Sequence, residues 1–120
     1  GQAVQAVRVS SVHLDFSRKG ARQRQVDQVI TSVQESPLPI IVMGDFNEQW
    51  DVNGSVINRL VEEAGLVAYQ PESDRLPTYK SKRLDWILVS PELEFVDYHV
   101  ITEEISDHRL VVAELRWREE

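Results

Sequence analysis

Four short stretches carry the residues able to do chemistry: "VHLDF" (12–16), "GDFN" (44–47), "RLDWILVS" (83–90) and "SDHR" (106–109). Asp85 is the most conspicuous. It sits inside "LDWILV", where aspartate is disfavoured and an unpaired ionised carboxylate is costly to bury. An ion pair with Arg83 or Lys82 would account for it without any function. "SDHR" reads as a surface turn by itself. His108 beside Asp107 is also a candidate acid, base or phosphate ligand. His13 and Asp15 are two apart at the end of a strand-like run and so share a face. The plainer account is that Asp15 caps a turn before Ser17. Gly44, Asp45 and Asn47 likewise suit an Asx-type turn.

The elements that would position these residues follow from hydrophobic period. "AVQAVRVSSVHLDF" (3–16) reads as one long strand. Over 18–36 the period changes, with Val26, Val29, Ile30 and Val33 forming a helical stripe that Pro37 and Pro39 end. "IIVM" (40–43) reads as a strand buried on both faces, stopping at Gly44 so that Asp45 and Asn47 project over its end. Asp51, Asn53 and Ser55 offer caps for a second helix, whose stripe is Ile57, Leu60, Val61 and Ala64 and whose stop is Gly65. Residues 66–80 read mostly as loop. Strands are expected at 83–90, 94–101 and 109–117.

The order β-α-β-α followed by three strands predicts an α/β (α+β) domain, a mixed, mostly antiparallel sheet with two helices on one face. The strands at 40–43 and 109–117 look apolar on both sides, and two helices cover only one. Something else is expected to cover the other face, whether further chain or a second copy.

Each polar cluster then falls at a strand terminus: His13 after the first, Asp45 after the second, Asp85 opening the third, Asp107 and His108 opening the last. In a sheet with antiparallel neighbours, one strand's end lies beside the next strand's start, so all can meet along one rim. Converging carboxylates repel unless a divalent cation joins them, and oxygen donors suit Mg²⁺ or Mn²⁺ better than zinc. With two histidines and the Asn47 amide, such a site can ligate a metal, activate water and hold phosphoryl oxygens.

The chain has 120 residues, 42% hydrophobic and 28% charged, the profile of one modest globular domain. Without cysteine it has no disulfide and no thiolate site. No apolar stretch is long enough to span a membrane, and no signal-peptide pattern opens the chain; its targeting is left unknown, with the cytoplasm only as the default. Gly1 is not a start methionine, so the chain is expected to be a piece of a longer one. Thirteen basic against twenty acidic residues give a net charge of −7, which disfavours nucleic acid as a partner without excluding it. Of the two basic clusters, "RKGARQR" (18–24) reads as solvated surface. "YKSKR" (79–83), next to Asp85, is better placed to meet a phosphate.

"HLD", "GDFN", "RLDWILVS" and "SDHR", in that order, resemble the C-terminal half of the endonuclease/exonuclease/phosphatase (DNase I-like) superfamily. That group of divalent-metal phosphoesterases includes nucleases, sphingomyelinases and inositol-polyphosphate phosphatases. The resemblance implies half of a four-layer α/β/β/α sandwich, residues 1–120 forming one partial domain. It implies that Asp45 orients or deprotonates the attacking water and that Asn47 contacts phosphate. His13 would lie near the scissile phosphate or leaving group, and Asp85 would hold and polarise His108. His108 would stabilise phosphoryl charge, and Asp107, with Asp45, would bind Mg²⁺ or Mn²⁺. Where the family commonly has Asn or Thr before the histidine, this chain has Ser11 and Val12. The family's earlier asparagine and metal-binding glutamate have no counterpart before Ala3.

The expected function is hydrolysis of a phosphodiester or phosphomonoester, the chain by itself being inactive. An interaction module that self-associates through its uncovered sheet face is the alternative. A phosphoacceptor receiver domain is disfavoured, because it needs five alternating β-α units and an acidic pair after its first strand.

Overall fold

The computed structural model describes residues 5–103 and 106–119. Strand β1 (Arg8–His13) leads through helix α1 (Lys19–Glu35) into strand β2 (Ile40–Asp45), and helix α2 (Val56–Ala64) follows. The two-residue strand β3 (Val67–Ala68) precedes β4 (Asp85–Val89), β5 (Leu93–Ile101) and β6 (Leu110–Trp117). The first strand is shorter than the run 3–16 suggests, and residues 3 and 4 lie outside those described. The rest of the order matches expectation, with β3 added from the segment read as loop.

Both helices form for the reasons their sequences carry. Before α1, Asp15 Oδ1 accepts hydrogen bonds from the Ser17 and Arg18 amides at 2.9 and 2.8 Å, satisfying donors ahead of the first turn. The capping account of Asp15 is therefore the correct one. Hydrogen bonds from the Arg18 side chain, then from those two amides, hold its carboxyl well below the usual carboxylate range. In α2, Ser55 is the N-cap, its Oγ accepting from Asn58 N at 3.1 Å, and Gly65 closes the helix in the left-handed conformation. Glu48 Oε1 takes a further first-turn donor, Val56 N, at 3.1 Å. Its other oxygen meets Arg22 at 2.6 Å, so the basic cluster 18–24 is not all solvated.

The sheet is mixed, in the order β1-β2-β4-β3: β1 and β2 are parallel across the α1 crossover, and the other pairs are antiparallel. One continuous sheet would include the last strands, but among the described residues β5 and β6 form a separate antiparallel ribbon. The chain leaves the sheet at Ser90–Pro91. Ser90 uses its amide on the Ile40 carbonyl and its Oγ on the Ile40 amide, and Pro91 has no N–H to extend the ladder.

Alternation along β2 and β4 directs Ile40, Val42, Trp86 and Leu88 to one face, where they pack with Val26 and Ile30 of α1 and Val56, Ile57 and Leu60 of α2. Both helices thus cover the same face, as expected. On the opposite face Val9 is 52% exposed and Met43 37%, and Leu110 on β6 is 56% exposed. That face is the uncovered one.

The second strand does not stop at Gly44. It runs on to Asp45, and Gly44 is needed because its φ is +137° and a Cβ there would lie 2.0 Å from the Val12 carbonyl oxygen. The glycine lets β1 and β2 close up one residue before the rim.

Candidate active site

The rim is assembled by strand register. His13 pairs with Asp45 at the parallel end of β1 and β2, and Asp45 pairs with Asp85 where β2 meets β4. Three polar residues from three strands stand in one row. They share parity with Ile41, Met43 and Ile87, so they belong to the face that the helices leave open.

His108 joins the row from the segment before β6. Its Nδ1 is 2.7 Å from Asp85 Oδ2, and its Nε2 is 3.7 Å from Asp45 Oδ2. His13 Nε2 approaches the same Asp45 oxygen at 3.7 Å. Asp85 therefore pairs with His108 and not with Arg83. Arg83 is buried elsewhere, its two terminal nitrogens donating to the Gln70 and Tyr69 carbonyls at 2.8 Å while its guanidinium stacks 3.8 Å over Trp86. A guanidinium so engaged has no reach to the rim.

Asn47 has φ +53° and donates its amide N–H to Asp45 Oδ1 at 2.9 Å, the Asx-type turn expected of this sequence. Its side-chain Nδ2 donates to the Leu14 carbonyl at 2.6 Å, which ties the end of β1 to the turn after β2. A cavity of about 410 Å³ opens over these groups, lined by His13, Asp45, Asn47, Asp107 and His108 together with Phe16, Tyr79, Lys82 and Leu84. Asp85 is not among the lining residues and connects to the cavity through its contact with His108. All six residues singled out in the sequence thus gather at one end of the sheet.

Other neighbours were read from the sequence only as part of a cluster, or not at all. Tyr79 packs its ring 4.9 Å from the His108 imidazole, and Lys82 reaches the cavity wall. Both lie in the second basic cluster, which was the signal available for them. Thr78, which does not line the cavity but accepts from the Asp85 amide at 3.0 Å, had no signal at all. Trp50 packs against the core and does not line this cavity.

Charge in the site is balanced unevenly. Burial pushes the Asp45 carboxyl up, the Asp85 charge adds to it, and the Asn47 amide with both histidines opposes it. For His108, burial disfavours the cation, but the Asp85 hydrogen bond and the charges of Asp85, Asp45 and Asp107 outweigh burial and raise its pKa. In metal-free protein its imidazole should therefore titrate above the ordinary 6.5. Asp85→Asn leaves the burial and removes the main opposing influence, so the NMR midpoint of His108 should fall. Because the folded value is the raised one, the stabilisation is complete below pH 6.5 and lost as pH rises through the folded pKa. The mutation should thus lower Tm more at about pH 6 than at about pH 9. An unmoved midpoint would mean that Asp85 does not govern this imidazole.

Ligand atoms of Asp45, Asp85 and His108 all lie within 4.8 Å of one another, so the group is compact enough to share a metal ion. Its two carboxylates and one imidazole are donors that a divalent metal ion accepts. The Asp85–His108 contact engages one atom of each of those two residues, while Asp45 Oδ2 stands 3.7 Å from His108 Nε2; Asp107, expected as a ligand with Asp45, is not part of this compact group.

The α/β frame, with its acid–imidazole rim at the strand ends, has a match among known protein families. Residues 4–108 match the model of the endonuclease/exonuclease/phosphatase family, and the chain belongs to that family. An endonuclease/exonuclease/phosphatase family protein from Bacteroides thetaiotaomicron is similar at 25% identity and a TM-score of 0.75, over 91% of this chain and 49% of that one. Two further structures share the fold. A mannosyl-6-phosphatase from the same species aligns at 23% identity and TM-score 0.68, over 89% of this chain and 50% of its own. The human Nocturnin catalytic domain with bound sulfate aligns at 19% identity and TM-score 0.65, over 92% of this chain and 46% of its own. The chain therefore spans about half the length of the structures it matches. No curated protein is matched at a significant level. Among the described residues no helix is long and apolar enough to cross a membrane.

Proposed function

We propose that these 120 residues are the C-terminal half of a phosphoesterase domain that uses Mg²⁺ or Mn²⁺ to hydrolyse a phosphodiester or phosphomonoester. The observation that carries this reading is the row His13–Asp45–Asp85 closed by His108 over one cavity. Asp45 and Asp107 would hold the cation, which when bound polarises a phosphoryl oxygen and lowers the pKa of water.

The chain's own residues then divide the work. Asp45, whose carboxyl burial has made more basic, orients the attacking water and takes its proton. Asp85 accepts from His108 Nδ1, which fixes the tautomer and turns Nε2 toward Asp45 and the cavity. His108 carries its positive charge to the phosphoryl oxygens, where fixed charge stabilises the transition state more than water can. His13, 78% exposed at its side chain, stands where a leaving group would depart. Asn47 and Lys82 line the same cavity, where the Asn47 Nδ2 proton not given to the Leu14 carbonyl and the Lys82 ammonium would contact the phosphate.

The exposed apolar residues Val9, Met43 and Leu110 support a cover supplied by further chain, consistent with the doubled length of the matched structures. The same residues favour a second reading, a module that self-associates through this face. That reading accounts for the apolar face and leaves the polar rim unused.

Metal dependence tests the proposal. The full natural chain should hydrolyse bis(p-nitrophenyl) phosphate or p-nitrophenyl phosphate with Mn²⁺ or Mg²⁺ present, lose that activity in EDTA and regain it when metal is restored. Hydrolysis of one ester and not the other would assign the substrate class. Absence of metal-dependent hydrolysis of both, in folded protein, would reject the phosphoesterase reading.

A further inference from the structure

Thr78 lies in the irregular stretch between β3 and β4, yet it is 1% exposed. Its Oγ1 accepts from two consecutive amides, Leu84 N and Asp85 N, each at 3.0 Å. Both lone pairs of the hydroxyl oxygen are thus committed to the start of β4. Its carbonyl accepts from Arg109 N at 2.7 Å, the residue directly after His108, and its own amide donates to Lys82 O at 2.9 Å. One buried residue is therefore bonded to the backbone of Asp85 on one side and to the backbone next to His108 on the other. Asp85 opens β4 and His108 lies in the segment before β6, twenty-three residues on, so nothing local fixes their separation.

The surrounding turn is braced around this point. Tyr79 and Lys82 form an isolated antiparallel bridge, and Arg109 Nη1 donates to the Pro77 and Lys80 carbonyls at 3.2 and 3.0 Å. The braced turn presents the Tyr79 ring to the His108 imidazole, 4.9 Å between centroids. His108 is thereby held by Asp85 at one nitrogen and by an aromatic ring at its side.

We propose that Thr78 is a positioning residue that sets the spacing of the Asp85–His108 pair through its two backbone attachments. It touches no substrate. Its hydroxyl oxygen fixes where Asp85 begins, and its carbonyl fixes where the His108 segment lands. The catalytic consequence rests on the phosphoesterase reading, whereas the geometric claim stands apart from it.

The test compares Thr78→Val with Thr78→Ser in the full natural chain. Valine keeps the shape and loses the acceptor, and serine keeps the acceptor. The readouts are the NMR resonance of the His108 Nδ1 proton and Mn²⁺-supported turnover of bis(p-nitrophenyl) phosphate. Thr78→Val should shift or broaden away the Nδ1 resonance and lower kcat by about 10–100-fold with KM little changed, the size typical of losing an outer positioning partner. Thr78→Ser should restore both. A lowered Tm in Thr78→Val with an unchanged resonance and kcat would make Thr78 merely structural and overturn the proposal. If the valine variant does not fold, Thr78→Ser decides: the proposal requires a wild-type Nδ1 resonance even with a lower Tm, and a displaced one overturns it. A wild-type protein inactive on phosphate esters would remove the functional reading and leave the resonance arm to decide this one.

Discussion

Asp45→Asn in the full natural chain should reduce phosphate-ester turnover by about 10²–10⁴-fold, the range that a positioned general base contributes. The substitution is close to isosteric. Its side-chain oxygen can still accept from the Asn47 amide, which holds the Asx turn at 2.9 Å in the parent. What disappears is charge. Asp45 Oδ2 is the atom that His13 and His108 both approach at 3.7 Å, so one substitution takes the anion away from both imidazoles. It also removes the base and an oxygen of the cation set. Stability should move the other way or not at all. Asp45 is a partly buried carboxylate facing Asp85 across the β2–β4 ladder, and neutralising it relieves both burial and repulsion. A folded variant with Tm at or above that of the parent and turnover near background is the expected pair of results. Full turnover in folded Asp45→Asn would reject the role given to this residue.

Gly44→Ala should be the most destabilising single substitution near the site, costing about 4 kcal/mol or more. Two effects combine. The residue has φ +137°, a conformation that L side chains rarely adopt, and the added Cβ would lie 2.0 Å from the Val12 carbonyl oxygen and 3.0 Å from its carbonyl carbon and amide nitrogen. All three are backbone atoms of the paired strand, so no rotamer change relieves the clash and β1 must separate from β2. Gly65→Ala is the control. Its φ is +71° with open space around the new Cβ, so only conformational strain of about 1–2 kcal/mol is expected. Chemical denaturation of the two variants measures the difference. Against a typical total stability of about 5–15 kcal/mol, Gly44→Ala should lose a large share of folded protein. Equal, small losses in both would mean that β1 and β2 do not approach as closely as Val12 and Gly44 do here.

The elements were legible wherever burial has a local period. Val26 and Ile30, spaced by four, are both buried on α1, and Ile57 and Leu60 are both buried on α2. Ser55 and Gly65 close α2 at its two ends because capping is a matter of neighbours in sequence. The clustering of polar residues at strand ends was legible for a related reason. A strand end is a local feature, and antiparallel pairing brings one end to another whatever the side chains are. The family resemblance rested on the same ordered ends, which is why it pointed to the matching family.

Partner choice was a different matter. Asp85 had two cations as close sequence neighbours, Arg83 and Lys82, and took neither; it bonds His108, twenty-three residues away. Arg83 points to the other side of β4 and spends its donors on the carbonyls of Tyr69 and Gln70, a partnership that depends on where the loop before β4 folds back. The two-residue β3 was invisible because so short a strand has no period to read, and it exists only because β4 offers an open edge. The last two strands leave the main sheet where Ser90 and Pro91 end the ladder, which no alternation in 94–117 foretells. Thr78 completes the contrast. In sequence it is one threonine in a loop, and only the tertiary structure puts its oxygen at two amides of β4 and its carbonyl beside His108. Sequence by itself determined which segments become helices and strands and which polar residues stand at their ends, because those depend on a few neighbouring side chains. The tertiary structure alone decided which of those residues meet, because that depends on loops whose course is set by the packing of the whole domain.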